Sequence, residues 1–386
     1  MASKANERFD RFMMTASQKK SGFENVRFVF SARSKVTGEA RSFFIELYAV
    51  NPLLSPKGVV LGFTSRPMLS AADLQYALSG SASKNFGREE LVTPSFVCVR
   101  AGLIGAGGRQ VAKYFHYEQV RRSKKERSLT VGESVFSPSS LAGAVALSPD
   151  EVRERPEFLS AAGSFSWNLR YESRCRFAPS YMKKTGGWSV GGAISVLTGT
   201  ITMDGEEHVV TPEDECGYYD RNWGNDMPAK WFHLSSSHMS SIISGHRLSA
   251  SCFAVQGEYT PALAFYTKFE GQSVRCNVGA FSKARVTWDC SETPTDGDVP
   301  KLHWTASFHK GRHVLDVDMF CQADKMSVRE YEIPSGGRRK LSMLTGSTGV
   351  GEIRMYRKIR KNLELIEHVT VENCLCEFGR MELPED

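Results

Sequence analysis

The chain has 386 residues, 41% hydrophobic and 24% charged, a composition typical of a globular protein with a sizeable core and a length that suits two domains. Its formal net charge of +6 is small for this length and does not indicate nucleic-acid binding. No apolar run approaches the roughly 18 residues of a transmembrane helix. The polar stretch 1–20 lacks the apolar segment of a secretory signal.

The first half of the chain alternates apolar and polar residues with a period of two, the pattern of half-buried strands. Residues 23–34 and 40–50 predict a hairpin, and 91–120 predicts two strands joined by a glycine-rich turn at 105–108. Asp204-Gly205 predicts another tight hairpin turn. These segments pair with their neighbours in sequence, as antiparallel strands do.

The second half repeats the pattern from His246 onwards, with strand candidates about every ten to twelve residues. This spacing predicts an all-β chain of antiparallel sandwiches or barrels. We place the domain boundary near residue 238, which gives domains 1–238 and 239–386. The acidic, Pro-containing stretch 289–301 is either a long hairpin loop or an alternative linker.

Helix signals are few and short. Residues 5–18 and 70–80 have amphipathic spacing, the second with a Ser cap, and 148–157 predicts one further helical turn.

Nine Cys are scattered along the chain without a C-x-x-C pair. This favours reduced, mostly buried thiols, so we expect a cytoplasmic protein. His233 and His238, with Cys216 and Asp220 nearby, suggest a metal at first sight. Their spacing puts the two imidazoles on opposite faces of a strand, so no metal site is predicted.

Two apparent motifs fail the test of their context. Residues 187–191 match the nucleophile elbow G-x-S-x-G, but β-branched residues follow where the elbow needs a helix. The glycine-rich stretches 102–110 and 346–352 match no phosphate-binding loop and are interpreted as hairpin turns.

Three basic runs are interpreted as solvated loops and strand faces: 121–127, 336–340 and 354–361. A weak attraction to an anionic membrane surface is the alternative, so peripheral membrane contact stays open.

The most unusual stretch is GYYDRNWGNDMPAKW, residues 217–231. Gly224 and Asn225 tolerate positive φ, so RNWGND predicts a turn between two strands. Because alternate residues of a strand share a face, certain side chains are expected to meet at one barrel mouth. They are Tyr218, Asp220, Trp223, Trp231 and His233. An aromatic corner that only plugs the barrel is the alternative.

This stretch resembles the signature of the tocopherol cyclase family. The similar residues are Asp220-Arg221-Asn222-Trp223-Gly224, then Pro228 and Trp231-Phe232, within a match over 186–236. Tyr218-x-Asp220 also resembles carotenoid 1,2-hydratases and lipocalin-like proteins of the AttH and pericyclase types. The cyclases usually carry Glu-Lys where this chain has Asp220-Arg221, so substrate identity does not carry over.

The resemblance implies two lipocalin-like antiparallel β-barrel or sandwich domains packed together, with few short helices and a hydrophobic pocket in or between them. It implies metal-free chemistry without a cofactor on isoprenoid or polyene-type molecules. In that chemistry an acid protonates a C=C bond, and a phenol oxygen or water traps the cation. The acid must be protonated near neutral pH, which an apolar site favours.

Asp220 is the candidate acid, and Tyr218 or His233 would relay the proton. Arg221 should point the other way if the strand continues. Aromatic and polar side chains would bind the substrate and stabilise the cation. These are Trp188, Tyr219, Asn222, Trp223 and Trp231.

The favoured interpretation is a lyase or isomerase that cyclises, hydrates or isomerises a hydrophobic small molecule by acid catalysis at Asp220. A non-catalytic carrier of a lipophilic ligand is the first alternative, and a surface-interaction module is the second. Catalysis predicts that Asp220 lies in a cavity beside aromatic side chains. A carrier predicts an apolar pocket without a convergent acid, and a structural corner predicts Asp220 and Asn222 bonded to backbone groups.

Overall fold

The structure is a computed structural model that describes residues 9–61, 93–155, 157–177, 186–212, 216–228, 230–258, 263–269, 272–278, 284–293, 299–336 and 340–382. Within these ranges the chain forms 23 β-strands in two antiparallel sheets, with one α-helix and two 3-10 helices. The predicted all-β class is confirmed. In the described ranges, no helix is both long and apolar enough to cross a bilayer.

The first sheet contains the strands of the N-terminal part. They are β1 (Phe23–Ser34), β2 (Ala40–Val50), β3 (Phe96–Ile104), β4 (Arg109–Phe115), β5 (Arg121–Ser123), β6 (Ser128–Val131), β7 (Ser134–Phe136), β8 (Ser140–Leu147), β9 (Gly163–Phe177), β10 (Gly186–Met203), β11 (Glu206–Val210) and β12 (Cys216–Gly224). Their order is β4-β3-β2-β1-β11-β10-β9-β8-β7-β6-β5, and β12 pairs with β1 and β10. The sheet curls into a barrel, because β4 lies against β8.

The second sheet contains the remaining strands. They are β13 (Lys230–Ser236), β14 (His238–Ser241), β15 (Cys252–Glu258), β16 (Leu263–Phe269), β17 (Gln272–Val278), β18 (Arg285–Thr293), β19 (Lys301–Lys310), β20 (His313–Gln322), β21 (Met326–Glu332), β22 (Lys340–Ile359) and β23 (Asn362–Glu382). Their order is β17-β16-β15-β13-β23-β22-β20-β19-β18, with β14 on β23 and β21 on β22. This sheet also curls, since the rings of Phe232 on β13 and Trp288 on β18 lie 4.1 Å apart.

Each barrel has its own apolar interior, and the two barrels share an apolar interface. On β1 the alternation is clear: Val26, Phe28 and Phe30 belong to the interior cluster of the first barrel. Residues between them face outwards, towards the second barrel. Two further clusters join the barrels, for example Trp188 with Leu375, so the interface is a third core.

The chain passes from the first sheet to the second between Gly224 and Lys230. This change lies before residue 238, where the sequence places the domain boundary. In the stretch 289–301, residues 289–293 lie in β18 and Lys301 begins its antiparallel neighbour β19, so both described ends of this stretch belong to one pair of strands.

The helix predictions had three outcomes. Helix α1 (Pro149–Glu154) begins after Ser148, whose side chain accepts from the backbone of Glu151, and this prediction is confirmed. Residues 70–80 lie outside the described residues. The described part of 5–18 is not helical, because the backbone N–H groups of Met13 and Met14 donate to the Glu24 carboxylate instead.

The hairpin turns predicted at 105–108 and at Asp204-Gly205 were correct, and the one predicted at 346–352 was wrong. Asp204 and Gly205 both have positive φ, and the 105–108 turn joins β3 to β4. Residues 187–191 lie inside β10 rather than on an elbow. The stretch 346–352 is not a hairpin turn. It lies inside β22, where register shifts near Gly349 form an irregular strand.

Candidate functional site at the interface between the barrels

The motif stretch lies on a strand that is longer than predicted. β12 continues to Gly224 because β1 pairs with it on one side and β10 on the other. Asp220 lies opposite Arg27 of β1 and Val190 of β10. The predicted turn at 221–226 is therefore wrong for its first four residues, and the chain bends only from Asn225.

This longer strand divides the candidate residues between two faces. Tyr218 and Asp220 face the second barrel, and Tyr219 and Trp223 face the interior of the first. Tyr219 stacks on Phe28 with ring centroids 4.3 Å apart. The expected meeting of Trp223 with Asp220 does not occur, because odd and even positions of a strand point in opposite directions.

Asp220 is fully buried and accepts hydrogen bonds from several side chains. Arg27 donates from Nε at 3.2 Å and from Nη2 at 3.0 Å. Trp188 Nε1 donates at 3.1 Å and the Tyr218 hydroxyl at 3.0 Å. These donors are all side chains, so these contacts differ from the structural corner in which Asp220 would cap backbone groups.

Arg27 joins Asp220 to a second buried carboxylate from the other barrel. Its Nη1 lies 2.6 and 2.5 Å from the two carboxylate oxygens of Glu377 on β23. Burial alone would lower the pKa of Arg27, but Asp220 and Glu377 outweigh it and raise that pKa. One guanidinium therefore serves two carboxylates, and we name Asp220, Arg27 and Glu377 the acid pair with its arginine.

A second buried ion pair borders this group. Arg329 Nη2 lies 2.6 Å from Glu46 Oε2, and Tyr331 donates to Glu46 at 3.0 Å. Burial would raise the pKa of Glu46, but Arg329 outweighs it and the net shift is downward. Arg329 Nη1 also lies 3.9 Å from Glu377 Oε1, so these five buried side chains place three carboxylates against two guanidiniums.

His233 belongs to a chain of hydrogen bonds on the second barrel. Its Nδ1 lies 3.3 Å from Gln256 Oε1 and its Nε2 lies 2.9 Å from Ser235 Oγ. Gln256 in turn donates from Nε2 to Asn222 Oδ1. Because an amide oxygen can only accept, His233 is the tautomer with the proton on Nδ1. Burial and then Arg27 lower the pKa of His233 to about 3, so it is neutral.

Tyr218 lies between His233 and Asp220. Its ring centroid is 5.1 Å from that of His233. Burial and then Asp220 raise the pKa of Tyr218, so its hydroxyl keeps its proton and donates to Asp220. Arg221 points away, as expected, and lies 2.8 Å from Glu24.

Two cavities flank this group at the interface. The first, which we name the apolar cavity, has a volume of about 30 Å³, so a molecule larger than water would have to move its walls apart to bind there. Arg27 and Asn222 supply polar groups to its wall, and Trp231 supplies an aromatic face. The rest of its wall is formed by Phe23, Asn25, Met227, Tyr331, Leu341 and Met343. Asp220 lies directly behind Arg27 and Asn222 and does not line it.

The second cavity, which we name the serine cleft, reaches Tyr218 from the opposite side. Its wall contains Ser235 and several further hydroxyl groups, from Ser31, Ser42, Ser236, Ser237 and Ser347. The acid pair with its arginine therefore lies between an apolar cavity and a polar cleft.

Several site residues were not identified from the sequence: Arg27, Glu46, Gln256, Arg329 and Glu377. A signal for three of them is present, because Arg27, Glu46 and Glu377 are each a single charge within an apolar stretch of a strand. A strand with one such charge on its outer face must bury it against a partner or expose its apolar neighbours.

No protein-family model matches the chain, and no curated protein matches it. Among solved structures, kievitone hydratase from Nectria haematococca is similar over 97% of this chain and 94% of its own. The sequence identity is 9% and the TM-score 0.41. These values transfer no residue and no substrate, so the function is argued from the contacts of the site.

Proposed function

We propose that this protein is an enzyme that acts by acid–base catalysis on a hydrophobic small molecule bound at the interface between the barrels. The observation that carries the proposal is the charge of the buried group. One guanidinium, that of Arg27, lies between the carboxylates of Asp220 and Glu377. With Glu46 and Arg329 included, the group has three carboxylates and two guanidiniums, and one bound proton would bring its charge to zero.

The energetic cost of this group supports a functional role. Buried ion pairs are often no more stable than apolar residues of similar volume, so they add little to the stability of an interface. The interface already has apolar clusters around Trp188 and around Trp231. Clusters of buried, coupled ionisable groups beside a cavity are typical of functional sites.

The apolar cavity indicates the class of substrate. Small-molecule sites are mostly apolar with a few polar groups that fix orientation, and this wall combines Trp231 and Met343 with Arg27 and Asn222. An apolar molecule with one oxygen function would match this wall, because its apolar body would contact Trp231 and Met343 and its oxygen would bind Arg27 and Asn222. The substrate is therefore proposed to be a hydrophobic compound with a carbonyl, hydroxyl or carboxylate group.

The proposed roles follow from the contacts. Asp220, with Glu377 through Arg27, would hold the proton that is given to the substrate. Tyr218 would orient Asp220 and connect it to the serine cleft, where water can enter. His233, which is neutral, would position Ser235 and Gln256 rather than donate a proton. Cyclisation, hydration and isomerisation, the reactions implied by the resemblance to tocopherol cyclases, all begin with such a proton transfer.

A carrier without catalysis is the second candidate, and one observation favours it. Arg27 and Asn222 separate Asp220 from the apolar cavity. In a carrier these two residues would bind the polar end of the ligand, and Asp220 would only hold Arg27 in place.

Native mass spectrometry of protein purified from a lipid-rich extract distinguishes the candidates. We would compare the wild type with Asp220→Asn and with Asp226→Asn, an exposed carboxylate on the same connection. An enzyme predicts that Asp220→Asn retains a compound that the wild type and Asp226→Asn convert. An unchanged compound in all three proteins indicates a carrier. No compound in any of them contradicts both candidates.

A further inference from the structure

A group of neighbouring surface segments at one end of the second barrel is both basic and apolar. It consists of the β19–β20 turn (309–313), the tip of the β22–β23 hairpin (357–365) and the loop 242–247, and we name it the basic tip. The segments adjoin each other: the backbone N–H of Lys358 donates to the carbonyl of Arg312 at 2.6 Å. The N–H of Ile242 donates to the carbonyl of His368, three residues beyond the hairpin tip, at 2.7 Å.

The charge of the two hairpin turns is strongly positive. Six Lys and Arg side chains lie on them, against a single carboxylate, Glu364. The six are Lys310, Arg312, Arg357, Lys358, Arg360 and Lys361, and all six are exposed. Within the described residues, none of the four basic side chains of the 357–365 tip forms an ion pair. Their charge is therefore available to an external partner.

Exposed apolar side chains are concentrated in the same place. The described chain has eleven large hydrophobic residues that are exposed, and five of them belong to the basic tip. They are Ile242, Ile243, Ile359, Leu363 and Leu365. Lys358 lies opposite Leu363 in the hairpin register, so basic and apolar groups share one face.

We propose that the basic tip docks this protein on an anionic membrane surface. Segments that lie in a membrane interface combine apolar side chains, which enter the acyl boundary, with Lys and Arg, which meet anionic headgroups. A soluble polyanion would need the charges but not the exposed leucines and isoleucines. The proposal does not depend on the reaction at Asp220.

The first barrel offers a matched control. The turn that contains 121–127 is also basic and exposed, with Lys124 and Lys125 at its centre. None of the eleven exposed hydrophobic residues lies on it. If charge alone determined membrane binding, this turn and the basic tip would contribute equally.

The test is co-sedimentation of the full chain with vesicles of phosphatidylcholine, with and without phosphatidylserine. Two variants remove parts of the basic tip: Arg360→Gln/Lys361→Gln and Leu363→Ser/Leu365→Ser. Two controls remove the same kinds of group elsewhere: Lys124→Gln/Lys125→Gln, and Val36→Ser/Leu54→Ser, which are exposed apolar residues of the first barrel. Thermal melting confirms that each variant is folded.

We expect binding to the phosphatidylserine vesicles that weakens with added salt. The charge variant should bind at least about tenfold more weakly, since each Lys or Arg contributes about 1 kcal/mol near such a surface. The Leu363→Ser/Leu365→Ser variant should also bind more weakly, and both controls should bind like the wild type. The proposal would be overturned if the controls lost as much vesicle binding as the basic-tip variants, or if the wild type showed no preference for vesicles with phosphatidylserine. Loss with the charge variant alone would assign the basic tip to a soluble polyanion and would also overturn it.

Discussion

Two neighbouring residues of β12, Asp220 and Arg221, form buried ion pairs of different kinds. Arg221 pairs with Glu24, and Glu24 also accepts backbone N–H groups from Met13 and Met14. One cation meets one anion there, and the pair ties the N-terminal segment to the first barrel. Asp220 instead shares Arg27 with Glu377 of the other barrel, in a group of three carboxylates and two guanidiniums beside a cavity.

The comparison shows how to separate a structural ion pair from a candidate functional one. Burial is similar, with Asp220 at 0% and Arg221 at 6% exposure, so burial does not distinguish them. The two ion pairs are distinguished by their balance of charge and by their position relative to a cavity. Variants of the two ion pairs and of His233 test this distinction.

Replacing Arg27 with Gln should have the largest effect on stability. It leaves the buried carboxylate of Asp220 without its cation and that of Glu377 with only Arg329, 3.9 Å away, so we expect a loss near the upper end of about 3–5 kcal/mol. Urea unfolding at neutral pH measures it. The triple variant Arg27→Gln/Asp220→Asn/Glu377→Gln removes all three charges and should recover most of the loss. A triple variant as unstable as Arg27→Gln would show that the charges are not the cause.

Replacing Arg221 with Gln should cost less, near the lower end of about 3–5 kcal/mol. Glu24 would lose its cation but keep the N–H donors of Met13 and Met14. Urea unfolding measures this loss. At a temperature where the variant is folded, it should bind and convert the same compound as the wild type. A folded Arg221→Gln protein that fails to bind or convert that compound would contradict the distinction between the two pairs.

His233 should make stability depend on pH in a defined direction. The folded protein lowers its pKa from 6.5 to about 3, so between these values the unfolded chain binds a proton that the folded chain does not. The stability it contributes is therefore complete above pH 6.5 and is lost as the pH falls towards 3, by up to about 1.4 kcal/mol per pH unit. The free energy of unfolding of His233→Gln should depend less steeply on pH in this range. If the free energies of unfolding of the two proteins changed equally with pH in this range, the lowered pKa of His233 would be contradicted.

The strands were predictable because their signal is local. Alternation over 23–34 and 40–50 and the turn at Asp204-Gly205 each determine a structure within a few residues. The extent of β12 was not predictable in this way. Gly224 and Asn225 favour a turn, but pairing with β1 and β10 on both sides keeps residues 221–224 in the strand.

Only part of the candidate site, mainly the residues in and next to the stretch 217–231, was predictable from the sequence. Tyr218, Asp220, Trp231 and His233, which their spacing was expected to bring to one barrel mouth, lie instead at the interface between the barrels, and Trp223 points into the first barrel. Their partners come from strands far away in sequence: Arg27 and Asp220 are 193 positions apart, and Arg27 and Glu377 are 350 apart. The local pattern of a strand shows that it carries a buried charge. It does not show which strand of another barrel supplies the opposite charge.

The most direct test of the proposed function is whether Asp220 is needed to transfer a proton to the bound compound. The compound retained by Asp220→Asn would be added to each protein in D₂O, and the mass of the product would be measured. The wild type and Asp226→Asn should form a product that carries deuterium from the solvent, and Asp220→Asn should form none. Conversion by Asp220→Asn at the wild-type rate would contradict acid catalysis at Asp220.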